Sequence, residues 1–170
     1  MKRLMSLLII LSTFIISYAQ SKSWDLKQLQ KILVNEISYE AGISTGTRAA
    51  GKNNEFLIVE TRLTNNKDVD STVTVEDIFI RDTQNNKRYN LQAISLGKYI
   101  SAFLISLLRS GKIMQIEKGG SYTIGRDNEN EAMEIKFHNK ISTVFLFFEI
   151  PKVLNKKIQL CFGDSSIQIK

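Results

Sequence analysis

The segment from Phe56 to Leu63 does more than any other to limit what this chain can become. Leu57, Val59, Thr61 and Leu63 share one face of an extended backbone, and Glu60 and Arg62 share the other. That two-residue period suits a strand with one face in a core and one in water, and it does not fit the 3.6-residue period of a helix. A strand is not stable alone. The chain must supply neighbours along its edges and a second layer over its apolar face.

Such neighbours are spaced along the remaining sequence. Asn65-Asn66-Lys67-Asp68 ends the first strand, Thr72 to Val75 is β-branched throughout, and Asp77 to Asp82 resumes strand character. Thr83-Gln84-Asn85-Asn86-Lys87 predicts a hairpin turn, because Asn tolerates the left-handed backbone a tight turn needs. Arg88 to Leu91 would be the returning strand. Lys118-Gly119-Gly120-Ser121 predicts a second turn, followed by a strand from Tyr122 to Ile124. Val144 to Ile150 is almost wholly apolar and ends at Pro151, which cannot donate to a ladder. Lys156 to Phe162 places Ile158, Leu160 and Phe162 on one side, and Ile167 and Ile169 close the chain.

Two stretches are less decided. Leu26, Leu29, Ile32 and Leu33 are spaced for a turn or two of helix, yet Ile32 could equally open a strand running through Ile37 and Tyr39. Gly42 to Asn54 reads as a loop on its composition. With about seven to nine short strands in all, the chain is expected to be all-β, an immunoglobulin-like two-sheet β-sandwich. One segment departs from that pattern. Leu96, Ile100, Phe103, Leu104, Leu107 and Leu108 fall on one helical stripe before Gly111, which predicts a short helical insert over about 97–109. If the insert covers an open end of the sandwich, its stripe is core. Otherwise Phe103, Leu104, Leu107 and Leu108 form an exposed interaction patch for a partner or a lipid.

The first nineteen residues read as an export signal rather than as part of the fold. Lys2 and Arg3 precede the largely apolar run from Leu4 to Ile16, and Ser17-Tyr18-Ala19 offers small residues at a cleavage site. The run is shorter than the roughly 20 apolar residues a spanning helix needs. The expected organisation is a signal peptide over 1–19, an N-terminal lead-in over 20–30 and one domain over 31–170. Cys161 is far from the junction, so the lipoprotein route is closed, and the chain is expected to be periplasmic or extracellular, without a transmembrane segment after cleavage. Loss of Lys2 and Arg3 lowers the net charge of +6 by two, to +4. The other basic residues are scattered without interleaved aromatics, so no nucleic-acid partner is expected.

Little chemistry can be assembled. One Cys and one His exclude an intramolecular disulfide, multi-cysteine clusters and a His-rich metal centre. Asp127-Asn128-Glu129-Asn130-Glu131 offers alternating oxygen ligands of the kind calcium takes. The calcium loop's sixth place holds Ala132 rather than Gly, and its twelfth holds His138 rather than Glu, so a solvated acidic loop is expected. By strand parity Cys161 lies opposite Leu160 and Phe162, on an outer face or a sheet edge, without an activating partner. A free thiol there could join two copies as a disulfide-linked homodimer. His138 sits at a turn or strand end. Gly-x-Ser-x-Gly and phosphate-cradling glycine loops are absent. No catalytic residue, cofactor or metal is expected.

The order of segments also resembles a known family. Phe56-Leu57-Ile58-Val59-Glu60-Thr61-Arg62-Leu63-Thr64-Asn65-Asn66 is similar to the hydrophobic strand ending in Asn of DUF4352-type immunoglobulin-like extracellular domains. Val75 to Asp82, the polar turn and Lys87-Arg88-Tyr89 continue the likeness. Lys118 to Ser121 stands in place of that family's Pro-Gly turn, and Phe147-Phe148-Glu149-Ile150-Pro151-Lys152 resembles its Phe-x-Val-Pro strand end. The likeness spans roughly residues 30–170, and the 97–109 insert and the acidic loop at 127–134 depart from it. It implies an exported β-sandwich that mediates interactions, with no catalytic residues to transfer. The expected function is therefore a non-enzymatic binding or structural module of the bacterial cell envelope, with a protein or envelope component as partner. Gly42–Asn54 and Asp127–Glu134 are the loops expected to bind. The alternative is a carrier of a small apolar ligand or lipid, with the 97–109 helix as its lid.

Overall fold

β4 (Asn54–Asn65) contains the alternating segment, and β1 (Trp24–Val34) and β12 (Ile141–Pro151) flank it antiparallel on either side. The computed structural model describes residues 22–41, 44–67, 71–96, 102–106, 115–118, 120–126, 132–152 and 157–170. From β12 the sheet continues through β7 (Lys87–Ser95), β6 (Ile78–Asp82), β13 (Ile158–Phe162) and β14 (Ser165–Ile169). The hairpin of β2 (Glu36–Ala41) and β3 (Ser44–Ala49), together with β8 (Ala102–Leu104), completes a ten-stranded sheet. A four-stranded sheet runs in the order β5 (Ser71–Thr74), β11 (Met133–Phe137), β10 (Tyr122–Arg126) and β9 (Gln115–Lys118). A 3-10 turn, Val75–Asp77, carries the chain from the small sheet into β6.

The large sheet curls until its two ends meet. β1 and β14 lie at opposite ends of the main strand path, yet the Ser165 hydroxyl donates to the Trp24 carbonyl at 2.6 Å. Lys170 N–H donates to Gln28 Oε1 at 3.0 Å. Side-chain bonds close the seam where ladder bonds would close a regular barrel.

Alternation assigns the two faces of this curled sheet to two cores. Leu57, Val59 and Leu63 of β4 and Val144, Leu146, Phe148 and Ile150 of β12 point inward. They join Ile78, Ile80, Leu160 and Phe162, and Tyr122, Ile124, Ile135 and Phe137 of the small sheet, in one apolar cluster. Trp24 packs edge-on against Phe137 and Phe162, with ring centroids 5.3 Å away in each case. On the outer face Phe56, Ala93, Phe145, Phe147 and Ile37 form a smaller second core beneath the β2–β3 hairpin. Glu149 fastens the hairpin over it. Its carboxylate accepts from Arg48 Nη2 at 3.1 Å, Gly51 N–H at 2.9 Å and Asn54 Nδ2 at 2.9 Å.

The all-β class agrees with the sequence, and several boundaries do not. Residues 24–30, expected as a lead-in, belong to β1, which is strand rather than helix over Trp24–Val34. About half of the expected loop at Gly42–Asn54 is strand: β3 occupies Ser44–Ala49 and pairs with β2, and Asn54 opens β4. The expected helix over 97–109 does not run through Ala102–Leu104, which is β8, parallel to β2 and antiparallel to β7; only Ile105 and Ser106 are helical among the described residues there. A strand with neighbours on both edges can carry a continuous apolar run, which periodicity alone does not separate from a helix. Asn86 has φ 53°, the left-handed backbone expected of the hairpin turn.

Candidate functional site

A cleft of about 480 Å³ lies where β1 begins, β5 ends the small sheet and the β13–β14 turn comes across. Gly163-Asp164 makes that turn in two residues, since Phe162 pairs directly with Ser165. Gly163 has φ +55°, which favours glycine. Its N–H donates to the Asp77 carbonyl at 3.1 Å, drawing the turn toward the 3-10 segment. Trp24, 3% exposed, contributes to the apolar part of the cleft with Val73. Ser23, Lys67, Thr72, Thr74, Asp77 and Asp164 make its walls polar.

Asp164 is held in place by the start of β1: Ser23 N–H donates to both carboxylate oxygens, at 2.9 and 3.1 Å. Burial pushes this carboxyl up, but the hydrogen bonds it accepts from Ser23, Ser165 and its own N–H together outweigh burial and leave the group below the ordinary carboxylate range. Asp77 accepts from the Thr74 hydroxyl. Asn65 Oδ1 accepts from the Ser71 hydroxyl and from Lys67 N–H, both at 2.8 Å. Of the hydroxyls that line the cleft, those of Ser71 and Thr74 donate to Asn65 and Asp77, and no imidazole lines it. The ionisable side chains that line the cleft are those of Lys67, Asp77 and Asp164.

β5 gives the cleft a further property. It pairs with β11 on one edge and with no second strand among the described residues. Ser71 and Val73 are buried, whereas Thr72 is exposed and Thr74 half-buried. A strand edge beside a polar groove is the geometry used by domains that take an extended peptide as an added strand.

The residues singled out from sequence are dispersed. Cys161 does lie on the outer face of β13, but β13 sits between β6 and β14 rather than at an edge. The thiol is buried, 6% exposed, opposite Phe79. Burial pushes it up, while the nearby Arg81 and Arg88 draw it down by less. His138 follows β11 on the small sheet and contacts the Thr123 hydroxyl at 2.8 Å. The structure therefore places a histidine and a threonine together and brings neither to the cleft. Phe103 and Leu104 stand in β8, in register with Ile94 and Ala93, while Leu107 and Leu108 lie outside the described residues. So do the signal segment 1–19 and the acidic run 127–131. The described residues contain no group of side chains able to hold a metal ion and no helix long and apolar enough to cross a membrane.

The cleft itself was not expected from the sequence. Gly163-Asp164 between two strands is a hairpin signal that could have located one wall. Nothing local relates it to Trp24, 139 residues earlier in the chain, or to the edge of β5.

No family model and no curated protein matches the chain. Among solved structures it is similar to an uncharacterised β-sandwich protein from Clostridium difficile 630, at 12% identity and a TM-score of 0.43, over 88% of this chain and 87% of that one.

Proposed function

We propose that this chain is an exported, non-enzymatic module of the bacterial cell envelope that binds an extended segment of another envelope protein along β5. The observation that carries this reading is the cleft beside the edge of β5, a strand that pairs with β11 and with no second strand among the described residues. Main-chain bonds from an added strand would supply affinity, and the Asp77 and Asp164 carboxylates would favour a basic residue in that segment. The likeness of residues 30–170 to DUF4352-type extracellular domains supports the same role. The signal-like start of the chain supports an exported protein as well.

The test is photo-crosslinking in cells of the source bacterium, with the crosslinking residue at Thr72 and, as a control, at Lys27 on β1. Capture of one protein from Thr72 and not from Lys27, in the envelope fraction, is the expected result. Equal capture from both positions, or recovery of the chain from the cytoplasm, defeats the proposal.

A further inference from the structure

A second feature lies away from the cleft, on the outer face of β6, β7 and β13. Arg81 and Arg88 are directly opposite one another across the β6–β7 ladder. Like charges in that relation destabilise a sheet unless something offsets them. Here no carboxylate does: neither arginine forms an ion pair among the described residues. Both are exposed.

Their guanidinium groups are nevertheless held in place. Arg88 Cζ stands 3.8 Å from the centroid of the Phe79 ring and Arg81 Cζ 5.4 Å from it. Phe79 is on the outer face yet only 8% exposed. Arg88 Nε also donates to Asn90 Oδ1 at 2.8 Å, which fixes the plane of its fork. Gln159, in register with Arg81 on β13, adds a neutral amide at the margin. Stacking removes part of the rotamer freedom that two free arginines would lose on binding, and it leaves terminal N–H donors available to solvent.

We propose that Arg81 and Arg88, stacked together on Phe79, form a binding site for a dianionic phosphate group. Two fixed guanidiniums match that group in charge and in fork geometry, whereas a carboxylate supplies half the charge. Occupation relieves the repulsion across the ladder. A free phosphate, a small phosphomonoester and a lipid headgroup present the same chemistry to the site.

The test follows the arginine Nε–H resonances of the full chain during titration with inorganic phosphate at constant ionic strength. The Arg81 and Arg88 signals should move saturably, with a Kd on the order of 1 mM, while Arg62 stays still. Arg81→Gln or Arg88→Gln should weaken binding at least about tenfold, the factor expected from loss of one charge-assisted contact. The double variant Arg81→Lys/Arg88→Lys keeps both charges without the forks and should fall between. Acetate should bind at least about tenfold more weakly than phosphate. A parallel arm measures sedimentation with phosphatidylcholine vesicles, with and without phosphatidic acid. Binding in that arm alone, lost in the double glutamine variant, supports the site and assigns it to lipid. Equal binding of acetate, shifts that persist in the double glutamine variant, or failure of both arms overturns the proposal.

Discussion

The Ser165 hydroxyl donates to the main-chain carbonyl of Trp24 at 2.6 Å, and this bond joins the last strand of the large sheet to the first. Both residues are 3% exposed, so water does not readily replace the donor. A buried carbonyl that loses its partner costs about 1–3 kcal/mol. Ser165→Ala is expected to lower stability by that amount, seen as a lower denaturant midpoint at unchanged slope. Amide exchange should rise first along β1 and β14. A loss below about 0.5 kcal/mol, the level of an ordinary surface substitution, would show that the seam is closed by packing alone.

Glu149 makes the outer hairpin pH-sensitive. Donation from Asn54 outweighs the effect of burial, and the Gly51 amide and Arg48 add to it, so the carboxyl lies below its ordinary value of 4.5. A carboxylate whose folded pKa is depressed contributes stability that is present above the unfolded pKa and lost as pH falls through the folded one. The wild-type thermal midpoint should therefore fall as the pH drops below 4.5, and Glu149→Gln should flatten that part of the profile while lowering the midpoint at pH 7. An identical acid limb in the variant would show that Glu149 does not couple the hairpin to pH.

What could be read from the sequence follows from how many faces each strand buries. β4 was legible because its solvent-facing residues from Glu60 onward are polar; Phe56 and Ile58, before them, face the second core. β12 buries both faces, Val144 and Leu146 toward the main core and Phe145 and Phe147 toward the second, so it read as apolar without showing direction. β1 imitated a helix for a specific reason. Its register shifts between Gln28 and Gln30, and that bulge breaks the two-residue period, leaving Leu26 and Leu29 three apart. β11 was within reach: Met133, Ile135 and Phe137 alternate with Glu134 and Lys136, and the acidic run before them drew the reading toward a loop. The cleft depends on strand order, which no local pattern encodes.

Trp24 is the sole tryptophan of the chain, and it touches both the core and the cleft. Its edge contacts with Phe137 and Phe162 bridge the two sheets. Trp24→Ala is expected to cost about 3–5 kcal/mol, a large share of the 5–15 kcal/mol typical of a domain. Trp24→Phe should retain most of the stability. In the wild-type chain, Trp24 emission should be blue-shifted when folded and should change when a peptide occupies the cleft. Red-shifted emission from the native protein would contradict its burial.

Thr61 and Ser142 carry the opposite kind of defect. Both hydroxyl oxygens are buried without a hydrogen-bond partner among the described residues. Thr61 faces inward on β4 between Val59 and Leu63, opposite Val144 of β12 on one edge and Gln28 of β1 on the other. A hydroxyl desolvated without compensation costs about 1–3 kcal/mol by protein mutational data. Valine has nearly the same shape and removes the unsatisfied group, and its β-branch suits the strand. Thr61→Val is therefore expected to raise stability by about 1 kcal/mol, read as a higher denaturant midpoint, whereas Thr61→Ala should lower it by leaving a cavity. A destabilised valine variant would mean that the Thr61 hydroxyl has a partner in solution, such as a buried water, and would refute its assignment as an orphan.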